Sequence, residues 1–268
     1  MLSVCATPIG NLDDVTLRVL EELRHADVVL CEDTRRTRIL LDRHGIRAQL
    51  LSYHRHNEAA RTEEILPRLE AGERIALVSD AGLPGVNDPG ARLIAAALEA
   101  DVPVTVLPGA SAVETALVAS GLRAERYQFL GYLPRRAAAL DSLADELARW
   151  PHAAVAFESP QRVVASLRAL APSLGDRQVA VCRELTKRFE EVVRGTAADV
   201  AARLRQPVRG EITLVIGPDD TGAASADEAA AASAVAELVA AGVARRAAAD
   251  LVSRLSGISR NTLYRGSL

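Results

Sequence analysis

Lysine is almost missing from this chain of 268 residues: Lys187 is the single one, although Lys and Arg together number 32. A phosphate loop needs a lysine beside its glycines. Lys187 sits near no Gly-rich loop, which excludes a nucleoside-triphosphate site of that kind. The G-x-G-x-x-G of dinucleotide folds is missing too. Aromatic residues make up 3%, too few for a base-stacking platform of the single-strand-binding type. Cys5, Cys31 and Cys182 are odd in number and far apart, with no C-x-x-C pair, and read as reduced, buried thiols. No cysteine or carboxylate completes a zinc pattern around His54 and His56, so no metal is expected. No apolar run approaches the roughly 18 residues of a membrane span. The first residues, Met1-Leu2-Ser3-Val4-Cys5-Ala6, carry neither the basic start nor the apolar core of a secretion signal. The expectation is a cytoplasmic protein without a membrane or DNA partner. A net charge of −3 sets up no global field toward nucleic acid, so a polyanion must be met by a local patch.

What is present begins with 49% hydrophobic and 25% charged residues, the composition of a globular protein with one large domain or two medium ones. Short apolar runs at 2–6, 28–31, 75–78 and 104–107 alternate with helical patterns, which predicts a largely parallel sheet. Each run ends in a polar or Gly-rich loop, and all these loops belong on one edge. The most informative is Ser79-Asp80-Ala81-Gly82-Leu83-Pro84-Gly85-Val86-Asn87-Asp88-Pro89-Gly90. Ligands of open α/β sheets bind at the carboxyl ends of strands. Glycines there admit unusual backbone angles and close approach of a ligand, and prolines reduce the ordering lost on binding. A long Pro/Gly connection without a ligand is the plainer alternative, although twelve residues is long for such a link. A short helix is expected over 39–44, a loop over 52–58 and a helix over 60–70.

The second half reads as another α/β domain, with strands near 127–132, 153–157, 179–184, 190–195 and 210–217. The expected division is 1–112 for the first domain and 113–218 for the second. An Asp/Gly/Ser/Ala-rich linker is expected over 219–234, then a helical, helix-turn-helix-like tail over 235–268. In that tail Arg245, Arg246, Arg254, Arg260 and Arg265 stand against Asp250. Contact with nucleic acid and a plain helical cap on the core are both open for it.

Thr7-Pro8-Ile9-Gly10-Asn11-Leu12, Glu32-Asp33-Thr34-Arg35, Ser52-Tyr53-His54-x-His56-Asn57-Glu58, the 79–90 loop and Pro108-Gly109-Ala110-Ser111-Ala112 follow one another in this order. Phe157-Glu158-Ser159-Pro160, Glu184-Leu185-Thr186-Lys187 and Gly210-Glu211 come after them. Together they resemble the bacterial 16S ribosomal RNA 2′-O-methyltransferases that act on a decoding-region cytidine (the cytidine-1402 enzymes) of the tetrapyrrole methylase superfamily. The resemblance covers residues 2 to about 217. It implies a class III methyltransferase fold: two α/β domains with S-adenosylmethionine in the cleft between them, commonly as a homodimer. It also implies that Pro8, Gly10, Asp80, Ala81, Gly82, Val86, Asp88, Ser111, Ala112, Phe157 and Thr213 surround the cofactor, and that 16S rRNA or the small ribosomal subunit is the partner.

A 2′-hydroxyl is a poor nucleophile, so a general base is sought on the loop edge. Glu32 and Asp33, followed by Arg35, form the best constellation: an acid to take the proton and a guanidinium for a flanking phosphate. An ion-paired strand end is the alternative. Arg36, His54, His56, Arg135, Arg136 and Lys187 are candidate RNA contacts, with solvated surface charge as the other reading. If residues 54–56 are extended, the two histidines share a side. A superfamily methylase acting on a tetrapyrrole or a modified protein side chain is a rival. So is a non-catalytic RNA-binding or ribosome-assembly module.

Overall fold

The computed structural model describes residues 1–256 and 258–266, of which 220–228, 265 and 266 are described by their backbone alone. The first half runs β1 (Leu2–Cys5), α1 (Leu17–His25), β2 (Val28–Cys31), α2 (Thr34–Arg43), β3 (Leu50–Ser52), α3 (Glu58–Glu70), β4 (Ile75–Val78), α4 (Ala91–Glu99) and β5 (Val104–Leu107). Its five strands are all parallel, in the order β3-β2-β4-β1-β5. Strands β1, β2 and β4 are buried throughout, as nearly unbroken apolar runs covered by helices on both faces must be; the one polar residue, Ser3, donates its hydroxyl to Glu22 at 2.9 Å. Alternate residues face opposite sides. Leu2 and Val4 pack with Leu30, Ile65, Leu77 and Leu93, whereas Cys5 packs with Val19, Leu23, Leu41 and Val78.

Two expectations are corrected in this half. The sheet has a fifth strand, β3, which is only three residues long and too short to display a periodicity. The helix expected to begin at Ile39 begins at Thr34, because the Asp33 carboxylate accepts from the Arg35 amide at 2.9 Å and caps it. Residues 34–37, read from sequence as loop, are therefore the first turn of a helix.

The second half runs α5 (Ala112–Ser120), β6 (Tyr127–Tyr132), α6 (Ala137–Arg149), β7 (Ala153–Glu158), α7 (Val163–Leu174), β8 (Gln178–Arg183), β9 (Glu191–Thr196), α8 (Ala197–Arg203) and β10 (Ile212–Ile216). This sheet is mixed, in the order β6-β7-β10-β8-β9, with β6 and β7 parallel and the other pairs antiparallel. Helix α5 lays Val113, Ala116 and Leu117 on one face against Val155, Ala180 and Val215. The other face is covered through Leu140, Leu147, Leu167, Leu170 and Val200.

The remainder is α9 (Asp220–Ala240), α10 (Arg245–Ser256) and α11 (Arg260–Gly266). The expected linker is corrected: 220–234 is the greater part of α9. Ten of the 21 residues of α9 are alanine, the best helix former, and this outweighs its Gly and Ser. Gly257, central to the expected turn, lies outside the described residues, as do Ser267 and Leu268.

Candidate active site

Three strand-to-helix turns of the first sheet meet at one place. The Thr7 amide donates to the Gly82 carbonyl at 2.8 Å, and the Gly82 amide returns a bond to the Thr7 carbonyl at 3.0 Å. Thr7 Oγ1 donates to the Ser79 carbonyl at 3.0 Å. The turn after β1 is thereby stapled to the 79–90 loop after β4. Gly109, after β5, approaches so closely that a Cβ there would stand 2.9 Å from Ala6 Cβ. At the far end of the loop Gly90 has φ +136°, and its amide donates to Glu58 Oε1 at 3.0 Å. A Cβ at Gly90 would meet Leu77 at 2.9 Å. The glycines are thus demanded by contact and by backbone angle, not merely tolerated.

These turns face the second sheet across a cleft of about 980 Å³. Glu32, Asp80, Ala81, Gly82, Val86, Asp88, Ser111 and Ala112 line it from the first half and the start of α5, and Tyr132, Arg135, Phe157 and Thr213 from the second. Phe157 stands opposite Thr213 in the antiparallel pair of β7 and β10, so both side chains share a face. Its ring meets those of Phe129 and Tyr132 edge-on, at 5.0 and 5.5 Å between centroids. A smaller recess of about 210 Å³ adjoins the cleft across Arg36 and Asp80 and includes Pro8, Gly10 and Lys187. There the Lys187 ammonium binds Glu184 and Glu211, each at 2.9 Å.

Acidity is concentrated on the first-sheet side. Burial and then the charges of Glu32 and Asp80 push the Asp88 carboxyl up to about 6. Glu32 is also raised, by burial first and by Asp80 second, against the lowering effects of Arg55, His54 and Arg36. Asp80 is held from both sides: the Asp33 amide donates to Oδ1 at 3.0 Å, and Arg36 meets Oδ2 at 3.2 Å. The Arg55 guanidinium donates to the Asn87 carbonyl at 3.0 Å. It thereby fixes the loop where Asn87 takes φ +64°.

A family model for Tetrapyrrole (Corrin/Porphyrin) Methylases matches residues 1–201. The Ribosomal RNA small subunit methyltransferase I of Micromonospora olivasterospora is 46% identical over 265 residues, 98% of this chain and 85% of that protein. The chain belongs to the tetrapyrrole methylases, among the small-subunit ribosomal RNA methyltransferases. The protein of the same name from Thermotoga maritima is 40% identical over 220 residues, 80% of this chain and 97% of that one. Solved structures of this fold include a cobalt precorrin-4 methyltransferase, with TM-score 0.62 and 19% identity over 81% of this chain and 94% of that one. A uroporphyrin-III C-methyltransferase from Thermus thermophilus, complexed with S-adenosyl homocysteine, has TM-score 0.56 and 20% identity over 81% and 96%. The chain is an rRNA methyltransferase with the class III fold that its sequence motifs implied.

Against that family background the sequence-named residues divide. All eleven positions named for the cofactor line the cleft or its recess. Of the catalytic trio, Glu32 lines the cleft. Asp33 and Arg35 do not: Asp33 caps α2 and pairs with Arg35 at 2.8 Å, and the Arg35 side chain is 88% exposed. Of the RNA candidates, Arg36, Arg135 and Lys187 reach the cleft or recess, whereas His54, His56 and Arg136 do not. Residues 55–57 form a turn, closed by the Asn57 amide on the His54 carbonyl at 2.9 Å, not the extended stretch considered from sequence. The two imidazoles still lie 6.0 Å apart. Sequence reading passed over Arg55, Asn87, Phe129 and Tyr132. Arg55 carried a signal in its place between the two histidines, but its partner lies 32 residues away.

Proposed function

We propose that this enzyme transfers the methyl group of S-adenosylmethionine to the 2′-oxygen of cytidine 1402 in 16S rRNA. One observation carries the reading. In a chain so similar to small-subunit rRNA methyltransferases, the carboxyl-end loops of a parallel sheet face an aromatic wall across a cleft of about 980 Å³.

The residues fit the cofactor by the chemistry of the donor set. Glu32, Asp80 and Asp88 repel one another at one end of the cleft, and a ligand bearing ammonium and sulfonium charges relieves that repulsion. Phe129 and Phe157 present an apolar surface of the kind an adenine requires. Close packing of Gly109 against Ala6 leaves the backbone of Ala110, Ser111 and Ala112 accessible to an amino-acid end. When bound, the cofactor supplies an electrophilic methyl carbon on a sulfur whose positive charge disappears on transfer.

The chain's own task is alignment of the attacking oxygen and proton removal. Glu32 accepts the 2′-hydroxyl proton as the C–O bond forms and the C–S bond breaks. Its desolvated carboxylate is a stronger base than a solvated one. Arg36 and Arg135 hold phosphates flanking the target ribose, with Lys187 beside them. Asp33 and Arg35 shape the start of α2 and leave the chemistry to Glu32. The acceptor is the small ribosomal subunit, and the enzyme works as a cytoplasmic homodimer.

The deciding experiment incubates the protein with radiolabelled S-adenosylmethionine and small subunits from cells lacking the enzyme, and then identifies the labelled nucleoside. Label on a cytidine 2′-oxygen is the expected result. Label on another atom or on protein, or methylation of an added corrin instead, overturns the reading.

A further inference from the structure

Helices α9, α10 and α11 build a core of their own. Val235, Ala248, Ala249, Val252 and Leu263 pack on one another, and none of them joins the cores of the two sheets. The unit therefore does not complete the catalytic fold. It also lies outside residues 1–201, the part that the methylase family model matches, although the relative from Micromonospora olivasterospora extends over it.

Its α10–α11 part is basic in a chain that is acidic overall, with five arginines and one aspartate over residues 241–266, whereas the acidic Asp220, Asp227, Glu228 and Glu237 all belong to α9. Arg246 and Arg254 stand exposed two turns apart on α10, about 12 Å along the axis, away from the stripe that buries Ala248, Ala249 and Val252. Between them Asp250 is taken by Arg260 of α11 at 3.3 Å. Among the described residues neither Arg246 nor Arg254 meets a carboxylate. Two unpaired forks on a rigid helix, braced by an ion pair to the next helix, match the oxygens of phosphates. Leu251 and Leu255 are exposed beside them. Helix α11 has seven residues, about 10 Å, which is short for a helix laid into a DNA major groove. An A-form RNA groove admits no helix, so contact there is with phosphate and ribose.

We infer that the Arg246/Arg254 face of α10 docks on backbone phosphates of the RNA substrate and recruits it from outside the cleft. This rests on the reading of the protein as an rRNA methyltransferase, since it assigns the RNA to that same reaction. Neither arginine lines the cleft, so the face acts on substrate capture and not on chemistry.

The test compares the full-length wild type with Arg246→Glu/Arg254→Glu and with Arg246→Lys/Arg254→Lys. S-adenosylhomocysteine affinity and Tm serve as controls for folding. The expected result with small subunits is a KM raised about tenfold or more in the Glu variant, at unchanged kcat, and nearly restored in the Lys variant. In direct binding to naked 16S rRNA, the slope of log K against log salt should shrink by about 2, one for each phosphate that is no longer neutralised. Three results overturn the inference. One is KM and salt slope equal to wild type. Another is a raised KM with unaltered naked-rRNA binding, which assigns the face to a ribosomal protein. The third is tighter binding to duplex DNA of the same sequence than to RNA. A wild type that binds rRNA through this face but methylates no cytidine refutes the proposed reaction and leaves the docking face standing.

Discussion

The two sheets contribute to one cleft in opposite ways. The first is wholly parallel, so each strand delivers its carboxyl end to the same edge, and Glu32, Asp80 and Asp88 accumulate there from two different loops. The second is mixed, and the antiparallel pairing of β7 with β10 sets Phe157 and Thr213 side by side on a strand face. One half supplies the cluster of mutually repelling carboxylates on loops, and the other supplies the aromatic surface on strands, with the charges of Arg135 and Lys187 at its margin. Loop carboxylates stand on backbone held by few, specific bonds, such as Thr7 to Gly82 and Arg55 to Asn87. The aromatic wall is held by the packing of a whole sheet. Substitution of Glu32, the proton acceptor of the first side, should therefore strike chemistry foremost, whereas substitution of its loop neighbours Asp80 and Asp88 or of the aromatic wall of the second side should strike binding.

The largest expected effect tests that division directly. Glu32→Ala should lower kcat by about 10²- to 10⁴-fold, far more than it weakens cofactor binding, measured calorimetrically, because Asp80 and Asp88 still supply negative charge there. Phe157→Ala should do the reverse. Removing its two edge-on ring neighbours' partner should raise the cofactor Kd about tenfold, or 1.4 kcal/mol, with kcat at saturation retained. If Glu32→Ala weakened the cofactor as much as it slowed turnover, the two sides would not be separable.

Much of this contrast was legible in the sequence, and the reason differs between the halves. The four longer strands of the first sheet are short, largely apolar runs, broken only by Ser3 and Thr105, and are followed by loops of Gly, Pro or acidic residues, so strand, turn and ligand edge are written locally. Strand β3 was lost because three residues carry no periodicity, and the start of α2 was lost because a carboxylate after a strand reads equally as cap or as base. In the second half, the strands could be found but not their pairing. That Phe157 lies across from Thr213 depends on contacts 56 residues apart, which no local pattern encodes. The 220–234 stretch misled because alanine is as compatible with a linker composition as with a helix, until neighbouring helices give α9 something to pack on.

A subtler separation concerns pH. In the folded chain Asp88 titrates at about 6, above its ordinary 3.8, so between those values the folded state holds more of its proton than the unfolded state does. Stability therefore falls as pH rises through this window, and ionised Asp88 weakens the fold at neutral pH. Asp88→Asn should show a higher Tm than wild type at pH 8, with the difference vanishing below about pH 4. Function should move the other way. Wild-type affinity for the cationic cofactor should rise as pH increases through about 6 and Asp88 gains its charge, and the Asn variant should lose that rise. A pH-independent affinity in the wild type would remove Asp88 from the cofactor site while leaving Glu32 in place.

The smallest expected effect lies next to the largest one. Asp33 adjoins Glu32 in sequence, yet its carboxylate turns to the Arg35 amide and guanidinium, and this holds it down at about 2. A carboxylate so far below neutral pH is a weak base, and Arg35, at 88% exposure, is screened by solvent. Arg35→Ala should therefore leave kcat, KM and Tm near wild type. Asp33→Ala should lower Tm slightly, through removal of the cap on α2, with turnover kept; Asp33→Asn, which can still accept from the Arg35 amide, should recover much of the Tm. Because the Asp33 main-chain amide, not its side chain, holds Asp80, neither change disturbs the acidic end of the cleft. Should Arg35→Ala instead cut kcat as deeply as Glu32→Ala, the strand end would act as one catalytic unit, and the contrast between a charged working edge and its capped neighbour would fall.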